Sequence, residues 1–279
     1  MWHSVLKANK TSLVGLWMLA ALFMCAILAP LIAPHNPWEY GQRPFLSPSL
    51  LHPLGTNDVG QDIFSELLFG GRVSLLIGFG AALLSVCIGT LVGLVSGFRR
   101  GILGEALMGI TDIFLVIPTL PLVILVSVYL GTGIGPVILV IGLVTWPSTA
   151  RVIRAQTLSI CESRYIEAAR ALGAGEWRQM RWHVLPNLLP IVLAKFVLSV
   201  AIAMLMEAGL SLLGLGDPTS KSWGMMLRYA FARGGFMNGL WWWYMPPGLA
   251  IALCVLALNL ISLGVEERSD PRLKRVLQS

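Results

Sequence analysis

Residues 113–150 read IFLVIPTLPLVILVSVYLGTGIGPVILVIGLVTWPSTA and carry no charged side chain. About 20 consecutive apolar residues cross the hydrocarbon core of a bilayer, so this run is too long for a single helix. The sequence GTGIGP at 131–136 interrupts it, because glycine and proline mark turns and helix ends. The run therefore predicts two membrane-spanning helices, near 106–130 and 135–150.

The composition of the whole chain agrees with a membrane protein. Of its 279 residues, 56% are hydrophobic and 12% are charged, and the mean hydropathy is +0.76. A soluble domain carries about 25% charged residues, which argues against a soluble enzyme or a nucleic-acid-binding protein. The four cysteines are widely scattered, so we expect neither a disulfide framework nor a metal site built from them.

Four more spans are predicted from apolar runs: 11–34, 73–98, 191–213, and one within 234–265 that starts near Pro246-Pro247. Six spans place both termini on the same side of the membrane. With the N-terminus inside, 15 of the 20 Lys and Arg residues fall in cytoplasmic segments, as the positive-inside rule requires. The chain is therefore predicted to be an all-α integral membrane protein with six transmembrane helices and cytoplasmic termini.

Glycines recur every four residues in the second predicted span, at Gly89, Gly93 and Gly97. Such a series on one helix face lets the backbone of a neighbouring helix come close. We expect this face to pack against another span.

Residues 164–187 read RYIEAARALGAGEWRQMRWHVLPN and combine charged with small residues in an otherwise apolar chain. The pattern predicts a helix with Tyr165 and Leu172 on one face, a break at Gly173, and a second short amphipathic helix around Trp177. By the charge distribution this helix–turn–helix lies on the cytoplasmic side. Composition leaves two alternatives open: an interfacial element resting on lipid headgroups, or a docking surface for a cytoplasmic partner.

The spacing Glu167-Ala168-Ala169-x-x-x-Gly173, followed by Val184-Leu185-Pro186, resembles the EAA loop of bacterial ABC-importer permeases. Further blocks resemble the dipeptide, oligopeptide and nickel group of that family, and within it the second, "C-type" permease subunit. These blocks lie at 29–37, 52–75, 210–218 and 244–264. The chain departs from the group's usual GTD-x-x-GRD at Asn57 and Gln61, and from its usual Gly-Asp-Gly at 262–264.

The resemblance implies the permease fold of an ABC type I importer, with an N-terminal span and outer loop over 1–70 and a permease domain over 71–279. The EAA-type loop, 151–190, would form the coupling helix that docks on an ATP-binding subunit. In that role Glu167 would cap or anchor the helix, and Gly173 would form its turn. The other docking residues implied are Ala168, Ala169, Arg170, Trp177 and Arg178, of which the basic ones could instead hold lipid headgroups.

The resemblance also implies partners. They are a second homologous permease subunit, two ATP-binding subunits and an extracytoplasmic solute-binding protein, in the bacterial cytoplasmic (inner) membrane. The solute would be a peptide, or nickel or a metal chelate. The sequence contains no G-x-x-x-x-G-K-[ST] phosphate-binding loop, so we expect this chain to be no enzyme, and ATP and Mg²⁺ to be bound by the partner subunits.

Two carboxylates lie inside predicted spans, Asp112 and Glu207. Ionisable groups at membrane depth are costly and are usually paired or functional. Each could line the solute pathway; alternatively Asp112 could pair with Lys195, and Glu207 with Arg72. His35, His52 and His183 lie in loops, and we predict no metal site from them.

Two other functions remain open from the sequence. A secondary transporter driven by an ion gradient would show an internal repeat and several charges within its spans, and only Asp112 and Glu207 qualify clearly. A membrane scaffold without a solute path would use the amphipathic loop only for assembly.

Overall fold

The structure is a computed structural model that describes residues 10–41, 43–99 and 101–269, the last five by backbone alone. Apart from one isolated bridge between Thr56 and Asp62, the regular structure in these ranges is helical. The helices are α1 (Lys10–Ile27), α2 (Ala29–Ile32), α3 (Ile63–Phe98), α4 (Ile102–Val116), α5 (Thr119–Leu130), α6 (Ile134–Cys161), α7 (Arg164–Ala171), α8 (Glu176–Gln179), a π-helical turn (Met180–Val184), α9 (Leu185–Leu213), α10 (Trp223–Ala232) and α11 (Trp241–Ser269).

Within the described ranges, five helical segments are long and apolar enough to cross a membrane: α1, α3, α6, α11, and the continuous segment from α8 to α9. The pair α4 and α5 adds a sixth if it is counted as one bent span. Only helices and closed barrels satisfy every backbone hydrogen bond within hydrocarbon, which is why long apolar runs become helices here. The prediction of an all-α protein with six spans is confirmed.

The bundle has two ends, which we name by their contents. The hairpin side carries α7, α8 and the π-helical turn, 164–184. The loop side carries the two long connections 33–62 and 214–240. Both α3 and α6 run from the loop side to the hairpin side, and α9 returns.

Several span boundaries differ from the predictions; α6, for example, continues to Cys161 instead of ending near 150. Helix α3 begins at Ile63 rather than near 73, because Asp62 caps it by accepting a hydrogen bond from the Ser65 amide. The predicted span 106–130 is broken, and its halves α4 and α5 meet at 93°. Pro118 stands at the break and holds Ile117 in an extended conformation. Helix α11 begins at Trp241, so the proline pair lies inside it rather than at its start.

The glycine series of α3 packs against α6, as predicted. A Cβ at Gly89 would lie 2.7 Å from the Thr149 Cβ, and one at Gly93 only 2.5 Å from the Ala150 carbonyl oxygen. Real side chains do not approach so closely, so the two helices touch through backbone.

Candidate functional site

The hairpin of 164–184 is built around a tight turn after α7. Gly173 has φ +82°, a left-handed conformation that favours glycine. Its amide donates to the Arg170 carbonyl at 3.0 Å, and the Ala174 amide donates to the Ala169 carbonyl at 3.0 Å. This pair of bonds is a Schellman motif. The predicted turn at Gly173 is therefore present.

The inner face of the hairpin is held to the bundle by apolar contacts. Ile166 of α7 and Val184 of the π-helical turn are fully buried, in one cluster with Leu188 of α9 and Ile153 of α6. The Gln179 side-chain amide also donates to the Ala174 carbonyl at 2.6 Å, which ties the end of α8 to the turn. The same cluster also includes Leu94 of α3, so buried side chains tie the hairpin to three spans.

The outer face of the hairpin is uncovered. Leu172 is 89% exposed and Trp177 is 70% exposed, although both are large apolar residues. The predicted docking residues Glu167, Ala168, Arg170, Gly173 and Arg178 are exposed with them, and Ala169 is half-buried. Exposed apolar groups gathered on a rigid element are typical of a protein-binding surface.

Glu167 does not cap its helix. It lies in the first turn of α7, where the helix dipole favours a carboxylate, but its side chain is exposed. A neighbouring contact does link the hairpin to α3: Arg99 Nε lies 3.9 Å from Glu176 Oε2, with both side chains largely exposed.

The predicted pairing of Glu207 with Arg72 is wrong. Glu207 is buried in α9 and accepts hydrogen bonds from three serine hydroxyls: Ser222 at 2.7 Å, Ser211 at 2.8 Å and Ser74 at 3.4 Å. Arg72 instead donates to the carbonyl oxygens of Ala26 and Ile27 at the end of α1, at 2.6 and 2.7 Å. Arg72 thus binds carbonyl groups at the end of α1, and Glu207 binds Ser222 at the start of α10. Both side chains stabilise the packing of the bundle in this structure.

The ion pair of Asp112 is formed with Arg151 of α6, where Lys195 had been predicted. Arg151 Nη2 lies 2.5 Å from Asp112 Oδ1, and the two side chains are 60% and 55% exposed. Unlike Glu207, this pair lies on an uncovered surface of the bundle.

A second polar centre joins the two long connections on the loop side, and sequence reasoning missed it. Lys221 donates to both Glu66 and Gln61, and the Asn57 side-chain amide donates to the same two acceptors at 3.2 and 3.0 Å. Arg233 pairs with Asp58 at 2.5 Å. Between these groups lies a cleft of about 270 Å³ with Trp38, Tyr40 and Tyr229 among its walls. The only signal in the sequence was an isolated lysine and glutamate, 155 residues apart.

A family model described as "binding-protein-dependent transport system inner membrane component" matches residues 89–275. This stretch includes the hairpin, the glycine-packed part of α3 and all later spans. The chain belongs to this family. It is thus a transport permease subunit and not an enzyme, which excludes the scaffold and secondary-transporter alternatives.

Other comparisons extend the likeness over the whole permease. A model of the N-terminal transmembrane domain of oligopeptide transport permease C matches residues 1–53. The dipeptide transport system permease protein DppC of Bacillus subtilis (strain 168) is 34% identical over 272 residues, covering 97% of this chain and 84% of that protein. The di/tripeptide transport system permease protein DppC of Pseudomonas aeruginosa (strain UCBPP-PA14) is 37% identical over 281 residues, covering 98% and 91%.

The structure shows what surrounds the two residues at which this permease departs from the group's outer-loop pattern. Asn57 and Gln61 stand where the group usually has Asp and Arg, and here they are buried and hydrogen-bonded to each other at 3.0 Å. A neutral amide pair thus occupies the place of an acidic and a basic residue. Lys221 and Glu66 supply the opposite charges beside it.

Proposed function

We propose that this permease carries peptides across the bacterial cytoplasmic membrane as one subunit of an ATP-driven importer. The observation that carries the proposal is the hairpin, which is buried on one face and uncovered on the other. The hairpin exposes large apolar residues, Leu172 and Trp177 among them, beside charged ones. Peptides are favoured over nickel or metal chelates because the relatives are named as dipeptide and di/tripeptide permeases.

The proposed assembly contains two ATP-binding subunits, which bind the ATP and Mg²⁺, and a second homologous permease subunit. The distribution of Lys and Arg along the chain supports a cytoplasmic position for the hairpin side. The loop side would then face outward, where the cleft beside Trp38 and Tyr40 offers aromatic rings to an extracytoplasmic solute-binding protein. The division of the chain at residue 70 stays a prediction.

Energy would reach the spans through the hairpin. ATP-driven closure of the two ATP-binding subunits would shift the docked hairpin, and Ile166 and Val184 would pass that shift to α6 and α9. A ligand moves an equilibrium between two conformations only by its differential affinity for them. The ATP-binding subunits must therefore contact the hairpin differently in the inward-open and outward-open states.

The test is Glu167→Lys, which reverses an exposed charge in the centre of the docking surface. We expect the variant to insert and assemble its spans normally but to lose ATP-dependent uptake of a dipeptide such as Ala-Ala into cells or proteoliposomes. Glu105→Lys is the matched control, because Glu105 is an exposed acidic residue of α4 outside the hairpin. Wild-type uptake by the Glu167→Lys variant would remove the hairpin from the coupling path.

A further inference from the structure

One face of α6 is apolar along one half of its length and polar along the other. Toward the loop side it is apolar and covered: Val137, Val140, Ile141 and Val144 are buried in one cluster with Val123 of α5. Because α5 covers this half, it is closed to solute and to lipid.

The other half of the same face is polar and uncovered. The exposed residues here, spaced three or four apart and so on one side of a helix, are Ser148, Arg151, Ala155 and Ser159. None of them is a large apolar residue. Helix α4 turns away from α5 by 93°, and these four residues of α6 are exposed.

The ion pair of Asp112 and Arg151 joins the interiors of helices α4 and α6 on this open surface. Met108 of α4 contacts Ser96 near the end of α3, and Phe114 packs against Trp146 further along α6. Asp112 lies between these two levels, about one helical turn above Met108. An arginine can extend its head to a membrane surface, but the short side chain of an aspartate cannot, and a charge facing hydrocarbon is costly.

We infer that the face of Ser148, Arg151, Ala155 and Ser159, with Asp112, is the wall of a water-filled passage, and that the ion pair receives the charged ends of a peptide. The inference rests on the proposed function. A peptide with free termini carries an ammonium group and a carboxylate. The Asp112 carboxylate can accept from the ammonium, and the Arg151 guanidinium can donate two parallel hydrogen bonds to the carboxylate.

The half-exposed state of both side chains suits such an exchange. A fully buried pair would lose its partner at a high cost in desolvation, whereas exposed ion pairs contribute little to stability. Asp112 and Arg151 can therefore release each other and bind the solute without unfolding the bundle.

The first arm of the test measures access of water to the face. In a variant with the four native cysteines replaced, Ser148→Cys and Leu91→Cys are treated with a charged, membrane-impermeant thiol reagent. Leu91 lies on α3 between Gly89 and Gly93, which contact α6 around Thr149 and Ala150, so it matches Ser148 in depth, and it is 63% exposed. We expect Ser148→Cys to react at least about tenfold faster, because a charged reagent avoids hydrocarbon. Equal reaction rates would show that this face of α6 does not line a water-filled passage.

The second arm tests the charges in the assembled transporter, with Ala-Ala as the solute. Asp112→Asn and Arg151→Gln should each lower kcat/KM for uptake by about tenfold, the order expected for a lost hydrogen bond to a charged group, with the melting temperature unchanged. The exchange Asp112→Arg with Arg151→Asp keeps an ion pair but reverses its direction. We expect it not to restore uptake.

Recovery of uptake in the exchanged variant would show that the pair is structural and would overturn the solute contact. Where that variant fails to assemble, Asp112→Asn decides: wild-type kcat/KM overturns the contact, and a tenfold loss at unchanged stability supports it. Failure of the proposed function would look different, since the unmodified assembly would then not take up Ala-Ala with ATP at all.

Discussion

The contact between α3 and α6 makes a strong prediction for Gly93→Ala. The added methyl group would be placed 2.5 Å from the Ala150 carbonyl oxygen and 2.8 Å from the Ile153 Cβ. Neither neighbour is the end of a flexible side chain. The helices must therefore move apart along this closely packed contact.

Overpacking of this kind costs about 1–3 kcal/mol. For a chain of more than about 150 residues, 1 kcal/mol shifts the melting temperature by roughly 2–4 °C. We expect the variant to melt roughly 2–12 °C lower than the wild-type chain, measured by size-exclusion chromatography of heated samples in mild detergent. Gly89→Ala should behave similarly, since its added methyl would lie 2.7 Å from the Thr149 Cβ.

Gly209→Ala is the matched control. Gly209 also lies in the interior of a long span, α9, but an added Cβ there meets nothing within 4 Å. We expect it to melt at the wild-type temperature or slightly above, because alanine is the better helix former. If Gly93→Ala and Gly209→Ala melt together, close backbone packing does not hold α3 against α6 and the reasoning fails.

Three further predictions concern the turn, the buried carboxylate and the loop side. Gly173→Ala should strain the hairpin by about 1 kcal/mol, since φ is +82° and nothing else lies near the added methyl. Dipeptide uptake should fall in this variant and stay at the wild-type rate in Gly175→Ala, where φ is −64°. Equal uptake by the two variants would contradict the role of the turn. Glu207→Ala should lower the melting temperature more than Glu207→Gln. In the alanine variant three serine hydroxyls lose their acceptor, at a cost of about 1–3 kcal/mol, whereas the glutamine amide keeps one acceptor oxygen. The reverse order would show that the three serine hydrogen bonds do not stabilise the bundle. Burial opposes ionisation of Asp217, but hydrogen bonds from Thr219 and Ser220 outweigh it and lower the pKa of this carboxyl. The ionised Asp217 should therefore stabilise the loop 214–222 fully above about pH 4, and this stabilisation should be lost as the pH falls through the lowered pKa. An acid-active protease should detect the loss in the wild-type chain but not in Asp217→Asn.

The spans and the hairpin could be predicted because they depend on local sequence. Apolar runs specify spans wherever lipid is the solvent, and the glycine at 173 marks a turn without help from distant residues. The bend between α4 and α5 also had a local signal, Pro118, which an uninterrupted apolar run concealed. For the start of α11 the prolines were a misleading signal. Prolines within a span are tolerated when neighbouring helices satisfy the freed carbonyls, so the helix begins before them.

The partners of the charged residues could not be predicted, because they depend on which helices are neighbours. Glu207 is held by serines from three separate places in the chain, and a search for an opposite charge at the same depth led to Arg72. Asp112 did find a basic partner, but on α6 rather than α9. Depth alone ranks several candidates equally, and only the packing of α4 on α6 and of α9 on α3 separates them.

Helix α3 has 36 residues and is therefore about 54 Å long, nearly twice the thickness of a bilayer's hydrocarbon core. One unbroken rod thus carries Glu66, in the polar centre of the loop side, and ends beside Arg99, which contacts the hairpin through Glu176. A rod of this length is a lever: tilting it by about 5° around one end displaces the other by roughly 5 Å. A shift of the hairpin, whose buried cluster includes Leu94 of α3, would in this way reach the cleft at the other end of the rod without any intermediate joint.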